Sequence, residues 1–268
     1  MDLFEYQGKQ YFARYHIPVS PGGVADTVDE AVKVADQSGY PVVVKAQVQV
    51  GGRGKAGGIK LAKDAAEARY YADQILGMDI KGHTVHRVWV ERASDIAEEY
   101  YASFTLDRAA KRYLGMLSAQ GGVEIEAVAE KDPSAIALIY IDPTVGLTEA
   151  QCREWVAAAK LNPKATEGAV AILLKLYTCF TQGDADLVEI NPLILTPDGS
   201  VHALDAKVTL DDDAAYRHPE WEEFRAMQQA NLQGREKLAK EKGLQYVGLD
   251  GSVGIIANGA GLAMSTCD

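Results

Sequence analysis

The chain has 268 residues, 47% of them hydrophobic, which is enough to bury one or two cores and excludes intrinsic disorder. Its 27 Lys and Arg against 38 Asp and Glu leave a formal charge of −11, which opposes general binding to nucleic acid or to an anionic membrane, so a phosphate ligand would need a local basic patch. Cys152, Cys179 and Cys267 are widely spaced and form no CxxC pair, which argues against a disulfide framework or a zinc site, and no apolar run approaches the roughly 20 residues of a membrane span.

Thr27 and Glu30 stand at capping-box spacing ahead of Ala31, Val34 and Ala35, and Gly39 with Pro41 ends that short helix. Val42–Ala46 is a β-branched run and Ile59–Ala62 a second strand, so together they predict a hairpin with a large, mobile glycine loop. Asp64 caps a helix whose Ala68, Tyr71, Ala72, Ile75 and Leu76 follow helical spacing up to Gly77. Residues 85–90, 100–107, 112–118, 123–129 and 136–141 read as strands, interrupted by the turn at 107–111 and by Gly121-Gly122. Helices near 149–161 and 165–182 follow, then a second hairpin, 187–195 with 201–210, around Pro197-Asp198-Gly199. Residues 219–243 read as one long polar helix, acidic in its first turn and lysine-rich in its last. Residues 246–247 and 252–258 then open a new strand and a glycine turn, too little chain for a further α/β domain, so either roughly the last 26 residues pack onto the first domain or, the favoured reading, the chain is a fragment of a longer protein.

Between Pro41 and Lys63 stand five basic residues, Lys45, Arg53, Lys55, Lys60 and Lys63, and no acid. At their centre is Gly51-Gly52-Arg53-Gly54-Lys55-Ala56-Gly57-Gly58, whose glycines let backbone N–H groups approach an anion while Arg and Lys supply charge. Phosphate is the natural ligand. A Walker A loop is excluded, because it would need glycine where Gln49 stands and Ser or Thr where Ala56 stands, and because this loop joins strand to strand as a flap.

Between Asp186 and Glu223 the balance reverses, with ten acids against Lys207 and Arg217. A regular ladder around the three-residue turn pairs 196 with 200, 191 with 205 and 189 with 207, so Asn191 faces Asp205, with Glu189 and Lys207 two residues along on the same side. An amide and a carboxylate, with positions left open for water and phosphate oxygens, describe a magnesium site that works with a nucleotide. A basic phosphate loop and a metal-bearing acidic hairpin are the two halves of such a site. Val90-Glu91-Arg92-Ala93-Ser94, at the end of an apolar strand, is a candidate segment for a purine edge and ribose, with Glu99 accepting from ribose hydroxyls. Asn258-Gly259-Ala260-Gly261 resembles a dinucleotide loop, but Met264 occupies its third glycine position, so it is read as generic anion or carboxylate binding at a helix start. The five histidines are scattered without metal-ligand spacing, Trp89, Trp155 and Trp221 read as packing residues, and the thiols have no identifiable activating base.

Met1–Gln10, Val44–Val48, the loop 51–58, Gly121–Glu126, Val188–Leu193 and Asn258–Met264 together resemble the β subunits of the succinate–CoA ligase (succinyl-CoA synthetase) family, end to end and in order. Malate–CoA ligase β subunits and the amino-terminal region of ATP-citrate lyase are near relatives of that family. The resemblance implies an α/β (α+β) ATP-grasp fold for residues 1–240, with a nucleotide-binding subdomain near 21–95, and the opening of a truncated flavodoxin-like ligase domain at 241–268. By motif match it implies that Lys45, Gly52, Arg53 and Gly54 contact phosphates of ATP or GTP, that Glu91, Ser94 and Glu99 hold base and ribose, and that Asn191 and Asp205 bind Mg²⁺. Asn258 matches a substrate-carboxylate position, and Glu189 the carboxylate set near a phosphohistidine that a partner α subunit contributes together with CoA. The implied activity is ligation of succinate and CoA in the tricarboxylic acid cycle; the alternatives are malate as the acid, or a nucleotide-binding fragment without turnover. Ala206 stands where the family usually has glycine. The start, Met1 to Glu5, resembles neither a signal nor a transit peptide, so the cytoplasm is the expected compartment.

Overall fold

The computed structural model describes residues 1–231, 234–244, 246–248 and 251–267. They fall into two compact units, Met1–His218 and Pro219–Asp268.

The first unit opens with α1 (Glu5–Arg14), β1 (Gly22–Ala25), α2 (Val28–Ser38), β2 (Val42–Ala46), β3 (Ile59–Ala62), α3 (Ala65–Ile75), the short pair β4 (Asp79–Ile80) and β5 (His83–Thr84), and β6 (Val88–Arg92). Four of these strands form an antiparallel sheet in the order β1-β6-β2-β3. The expected capping box starts α2: the Glu30 N–H donates to Thr27 Oγ1 at 3.3 Å and the Thr27 N–H to Glu30 Oε2 at 3.2 Å. Asp64 caps α3 through the Glu67 N–H at 2.9 Å. Ala31 and Ala35 of α2 and Ala68, Ala72 and Ile75 of α3 bury one core with Val42, Val44, Val88 and Val90. The hairpin of β2 and β3 leaves residues 47–58 as the flap.

The second half comprises β7 (Glu98–Asp107), β8 (Arg112–Ser118), α4 (Ile125–Lys131), β9 (Ile136–Ile141), α5 (Glu149–Ala158), α6 (Thr166–Gln182), β10 (Ala185–Leu195), β11 (Val201–Ala203) and β12 (Lys207–Leu210). They build an antiparallel six-stranded sheet in the order β11-β10-β7-β8-β9, with β12 also beside β10. Phe104 of β7 packs on Trp155 and Phe180, so α5 and α6 cover the face its side chain takes. Alternation then puts Tyr101, Ser103 and the ladder partner of Ser103, Glu189, on the other face.

Three expectations change. Residues 123–129 are not a strand: Ile125–Lys131 is helix α4, because β8 already has β7 and β9 on its two sides and offers no free edge. The short apolar alternation there fits a helix equally well, with Val128 as its buried residue. Residues 252–258 carry a β-branched pattern but form no strand. Val253 and Ile256 are exposed, and the second unit has no strand among its described residues to complete a ladder. The strand expected at 85–90 runs from Val88 to Arg92, Val85 instead donating its N–H to the Met78 carbonyl.

In the second unit the long helix expected over 219–243 is described as α7 (Glu222–Asn231) and α8 (Gly234–Glu241), its junction at 232–233 lying outside the described residues. It is followed by α9 (Ala260–Cys267). Among the described residues no helix is long and apolar enough to cross a membrane.

Candidate functional site

Helix α1 lies where the flap and the acidic hairpin meet. Its start is tied to β12 by the Leu3 N–H donating to the Val208 carbonyl at 2.9 Å and the Leu210 N–H to the Met1 carbonyl at 2.9 Å. Its Gly8 lies so close to the hairpin that an added Cβ would stand 3.0 Å from the Ala206 carbonyl oxygen and 3.2 Å from the Ala206 Cβ. The methyl group this chain carries at position 206 is thus accommodated by the missing one at position 8.

From that position α1 supplies Glu5 and Lys9 to a buried ion network. Lys45 of β2 meets Glu5 at 3.0 Å and Glu91 of β6 at 2.6 Å, and Lys9 bridges to Glu5 at 3.1 Å and to Glu91. Arg53 of the flap pairs with Glu5 through one nitrogen and with Asp205 through the other, at 2.8 Å. Lys45 Nζ also donates to the Leu204 carbonyl at 3.0 Å, and Gln47 Nε2 to Glu5 at 3.4 Å. Three cations and three carboxylates cancel. Burial alone would push Glu5 upward, but Lys45, Arg53 and Lys9 together hold its carboxyl well below the ordinary value. Asp205, with 29% of its side chain exposed, is the carboxylate through which the network reaches solvent.

The flap and the acidic hairpin are therefore in contact, joined by Arg53 and Asp205. Gly52 takes a φ of +83°, a left-handed conformation open to glycine at no steric cost, and Gly54 is exposed beside it. Two residues past Arg53, Lys55 crosses to Glu124 at 2.7 Å. A cavity of about 480 Å³ lies there, lined by Lys55, Gln120, Gly122, Glu124 and Lys131 among others.

The predicted register holds where it can be read: Glu189 pairs with Lys207 and Leu193 with Ala203. Asn191 and Asp205 fall in the gap between these two stretches, bridged by the Leu204 N–H donating to the Pro192 carbonyl at 3.0 Å. Asn191 Oδ1 accepts from the Gly122 N–H at 2.8 Å and its Nδ2 donates to the Val123 carbonyl at 2.9 Å. Glu99 approaches the same place, since a Cβ on Gly122 would stand 2.7 Å from its carboxylate. Glu189 accepts from the Tyr101 hydroxyl at 2.9 Å; burial pushes its carboxyl up, against the pull of Lys207 and of that hydrogen bond. Ser94 lies 3.1 Å from His202 Nε2 and 3.5 Å from Ser20 Oγ. Asn258 belongs to the second unit, exposed at the bend before α9. Cys152 and Cys179 are buried and free, and burial pushes both thiols up, Cys152 to about 12.

The structure thus joins Lys45, Arg53, Glu91 and Asp205 in one network, gathers Glu99 and Asn191 at Gly122, and leaves Ser94 and Glu189 with other partners. Glu5, Lys9, Tyr101 and His202 were not foreseen. Glu5 and Lys9 lie in the Met1–Gln10 segment of the resemblance, which assigned them no role, and their i, i+4 spacing is one that a solvated pair shares. An amide oxygen keeping a second lone pair and a half-exposed carboxylate suit a hard, oxygen-loving cation such as Mg²⁺.

A family model described as an ATP-grasp domain matches residues 2–195. The chain belongs to the ATP-grasp family. Among solved structures, this ATP-grasp chain is similar to the dinucleotide-forming acetyl-coenzyme A synthetase 1 of Ca. Korarchaeum cryptofilum in complex with coenzyme A and Ca-AMPCP. That match has 21% identity and a TM-score of 0.66 over 78% of this chain and 93% of that one. The same synthetase with coenzyme A and Mg-AMPPCP, its phosphohistidine segment pointing towards the nucleotide binding site, matches at 20% identity and a TM-score of 0.60, with the same coverage. ATP citrate lyase from Methanothrix soehngenii with citrate and coenzyme A matches at 21% identity and a TM-score of 0.65, over 90% of this chain and 59% of that longer one. At these identities the likeness shows the fold.

Proposed function

We propose that the chain is the nucleotide-binding part of an acid–thiol ligase of the succinate–CoA ligase β-subunit type, serving ATP (or GTP) + succinate + CoA = ADP (or GDP) + phosphate + succinyl-CoA. The observation that carries this is the 2.8 Å pairing of Arg53 with Asp205, which brings to one point the cation expected to meet phosphate and the carboxylate expected to meet metal. On this reading the phosphates take Asp205's place on Arg53, and Lys45 and the flap backbone at Gly52 and Gly54 hold them from the other side. Mg²⁺, held by Asp205 and Asn191, would neutralise charge on the phosphate oxygens. Glu91, Ser94 and Glu99 would hold base and ribose, and Asn258 the acid's carboxylate. Glu189 would meet a phosphohistidine delivered by an α subunit that also binds CoA. In domain terms, residues 1–240 form the ATP-grasp part, with 21–95 as its nucleotide-binding subdomain, and 241–268 open a ligase domain.

The chemistry asked of the chain is positioning and electrostatics, since phosphoryl transfer needs charge stabilisation more than covalent help. Support comes from the Korarchaeum synthetase, whose complex contains coenzyme A, Mg-AMPPCP and a phosphohistidine segment. Reconstitution with an α subunit tests the proposal: thioester formation and CoA-dependent ADP release are expected. Their absence, with MgATP still bound, would reduce the chain to a nucleotide-binding fragment, and succinate and malate run side by side decide the acid.

A further inference from the structure

His202 has no part in the site as assigned above, yet it holds one of that site's residues. It sits on β11, half-buried, three residues before Asp205, and Ser94 follows Glu91 by the same spacing. Three extended residues span at most about 10 Å. The Ser94–His202 pair therefore lies within about 10 Å of both Glu91 and Asp205, Ser94 just past the end of β6 and His202 on β11.

We propose that His202 is a specificity-determining positioning residue: its Nε2, 3.1 Å from Ser94 Oγ, fixes how the Ser94 hydroxyl is presented to the purine base. The inference rests on Ser94 meeting the base, as proposed above. A serine hydroxyl has one hydrogen and two lone pairs. With Nε2 as acceptor, the hydrogen is committed to His202 and the free lone pairs suit the exocyclic amine of adenine. With Nε2 as donor, the hydrogen is free for the carbonyl of guanine. A neutral imidazole has one donor and one acceptor nitrogen, so the tautomer commits Ser94 to one role. Burial, first among the influences, keeps His202 below its ordinary value, with Lys9 acting the same way and Glu91 and Asp198 opposing. Ser20 Oγ, on a buried residue, lies 3.5 Å from Ser94 Oγ.

The test is calorimetric titration of the 268-residue chain with MgATP and MgGTP, for the parent, His202→Phe, His202→Gln, Ser94→Ala and the Phe/Ala double variant. A parent preference for one nucleotide is expected to narrow about tenfold in His202→Phe, the loss of one directed hydrogen bond. His202→Gln, which keeps a polar atom near the Nε2 position, retains more of that preference. In the Ser94→Ala background the Phe substitution changes the ratio no further. A merely structural role would weaken both nucleotides by the same factor, and that result overturns the inference, as does a parent without preference or an undiminished effect in the Ser94→Ala background. A parent that binds neither nucleotide removes the proposed function as well; one that binds both at a ratio unmoved by His202→Phe removes only this inference.

Discussion

Arg53 and Lys55 stand two residues apart on one glycine loop and each meets a carboxylate, yet the two pairs are different physical objects. The Arg53 side chain is 11% exposed and its partner Glu5 2%, whereas Lys55 and Glu124 are 76% and 63% exposed. Taking Arg53 and Glu5 out of water is costly, and the cost is offset only because Lys9, Lys45 and Gln47 complete the hydrogen bonding around Glu5. Lys55 and Glu124 remain hydrated, where attraction is weak and salt screens it. The flap is thus anchored at Arg53 and only latched at Lys55, an arrangement that lets its tip open over the cavity while Arg53 and Lys45 stay in place.

The largest effect that could break this contrast is at Glu5. Glu5→Gln leaves Lys9, Lys45 and Arg53 facing one carboxylate fewer in a buried site, and an unfolding free energy lower by about 3–5 kcal/mol is expected in urea denaturation; an unchanged midpoint would mean that the network is not structural. The parent should also show an acid limb that the variant lacks. Because the native Glu5 carboxyl is held below its ordinary value, the unfolded chain binds more protons in that window. The contribution is complete above the ordinary carboxylate range and is lost as pH falls through the lowered value. Next comes Asp205→Ala, in which Arg53 keeps Glu5 but loses the exposed partner. MgATP affinity is expected to fall by at least about tenfold in calorimetry while the urea midpoint stays near the parent's; parent-like affinity would remove Asp205 from the metal site. Gly8→Ala is smaller: its Cβ would press on Ala206 at 3.0–3.2 Å and displace the helix that carries Glu5 and Lys9, costing about 1–3 kcal/mol. Adding Ala206→Gly should restore most of that loss in thermal melts.

Much of this contrast was legible in the sequence, but unevenly. The Thr27–Glu30 box and the Asp64 cap are local signals and were realised as read. The pairing of Glu189 with Lys207 followed from turn length alone. The acid-free run from Pro41 to Lys63 pointed to a basic flap, and the flap does reach the acidic hairpin. What the sequence concealed was long-range. Glu5 is 40 residues from Lys45 and 48 from Arg53, so nothing local distinguishes it from a solvated helix-start glutamate. The residues that neutralise the basic patch are invisible when charges are counted along the chain. Residues 123–129 failed for a related reason: strand or helix was decided by whether β8 had a free edge, which is a property of the sheet.

The smallest predicted effect sharpens the comparison most, because it concerns the latch alone. Glu124→Gln removes the carboxylate facing Lys55 and leaves every cation of the flap in place. Since both side chains are largely in water, the thermal midpoint should not move. Opening should: the released tip around Lys55, residues 54–57, is expected to be cut by a protease of broad specificity faster than in the parent, with the difference shrinking as added salt screens the parent's own pair. MgATP affinity should be unchanged or higher, because Lys55 is freed for phosphate. If cleavage rates are equal at low salt, the flap is held by its anchored root alone and the latch has no function. If instead Glu124→Gln lowers the melting temperature as Glu5→Gln does, the two ends of the loop are one structural unit and the contrast between them is wrong.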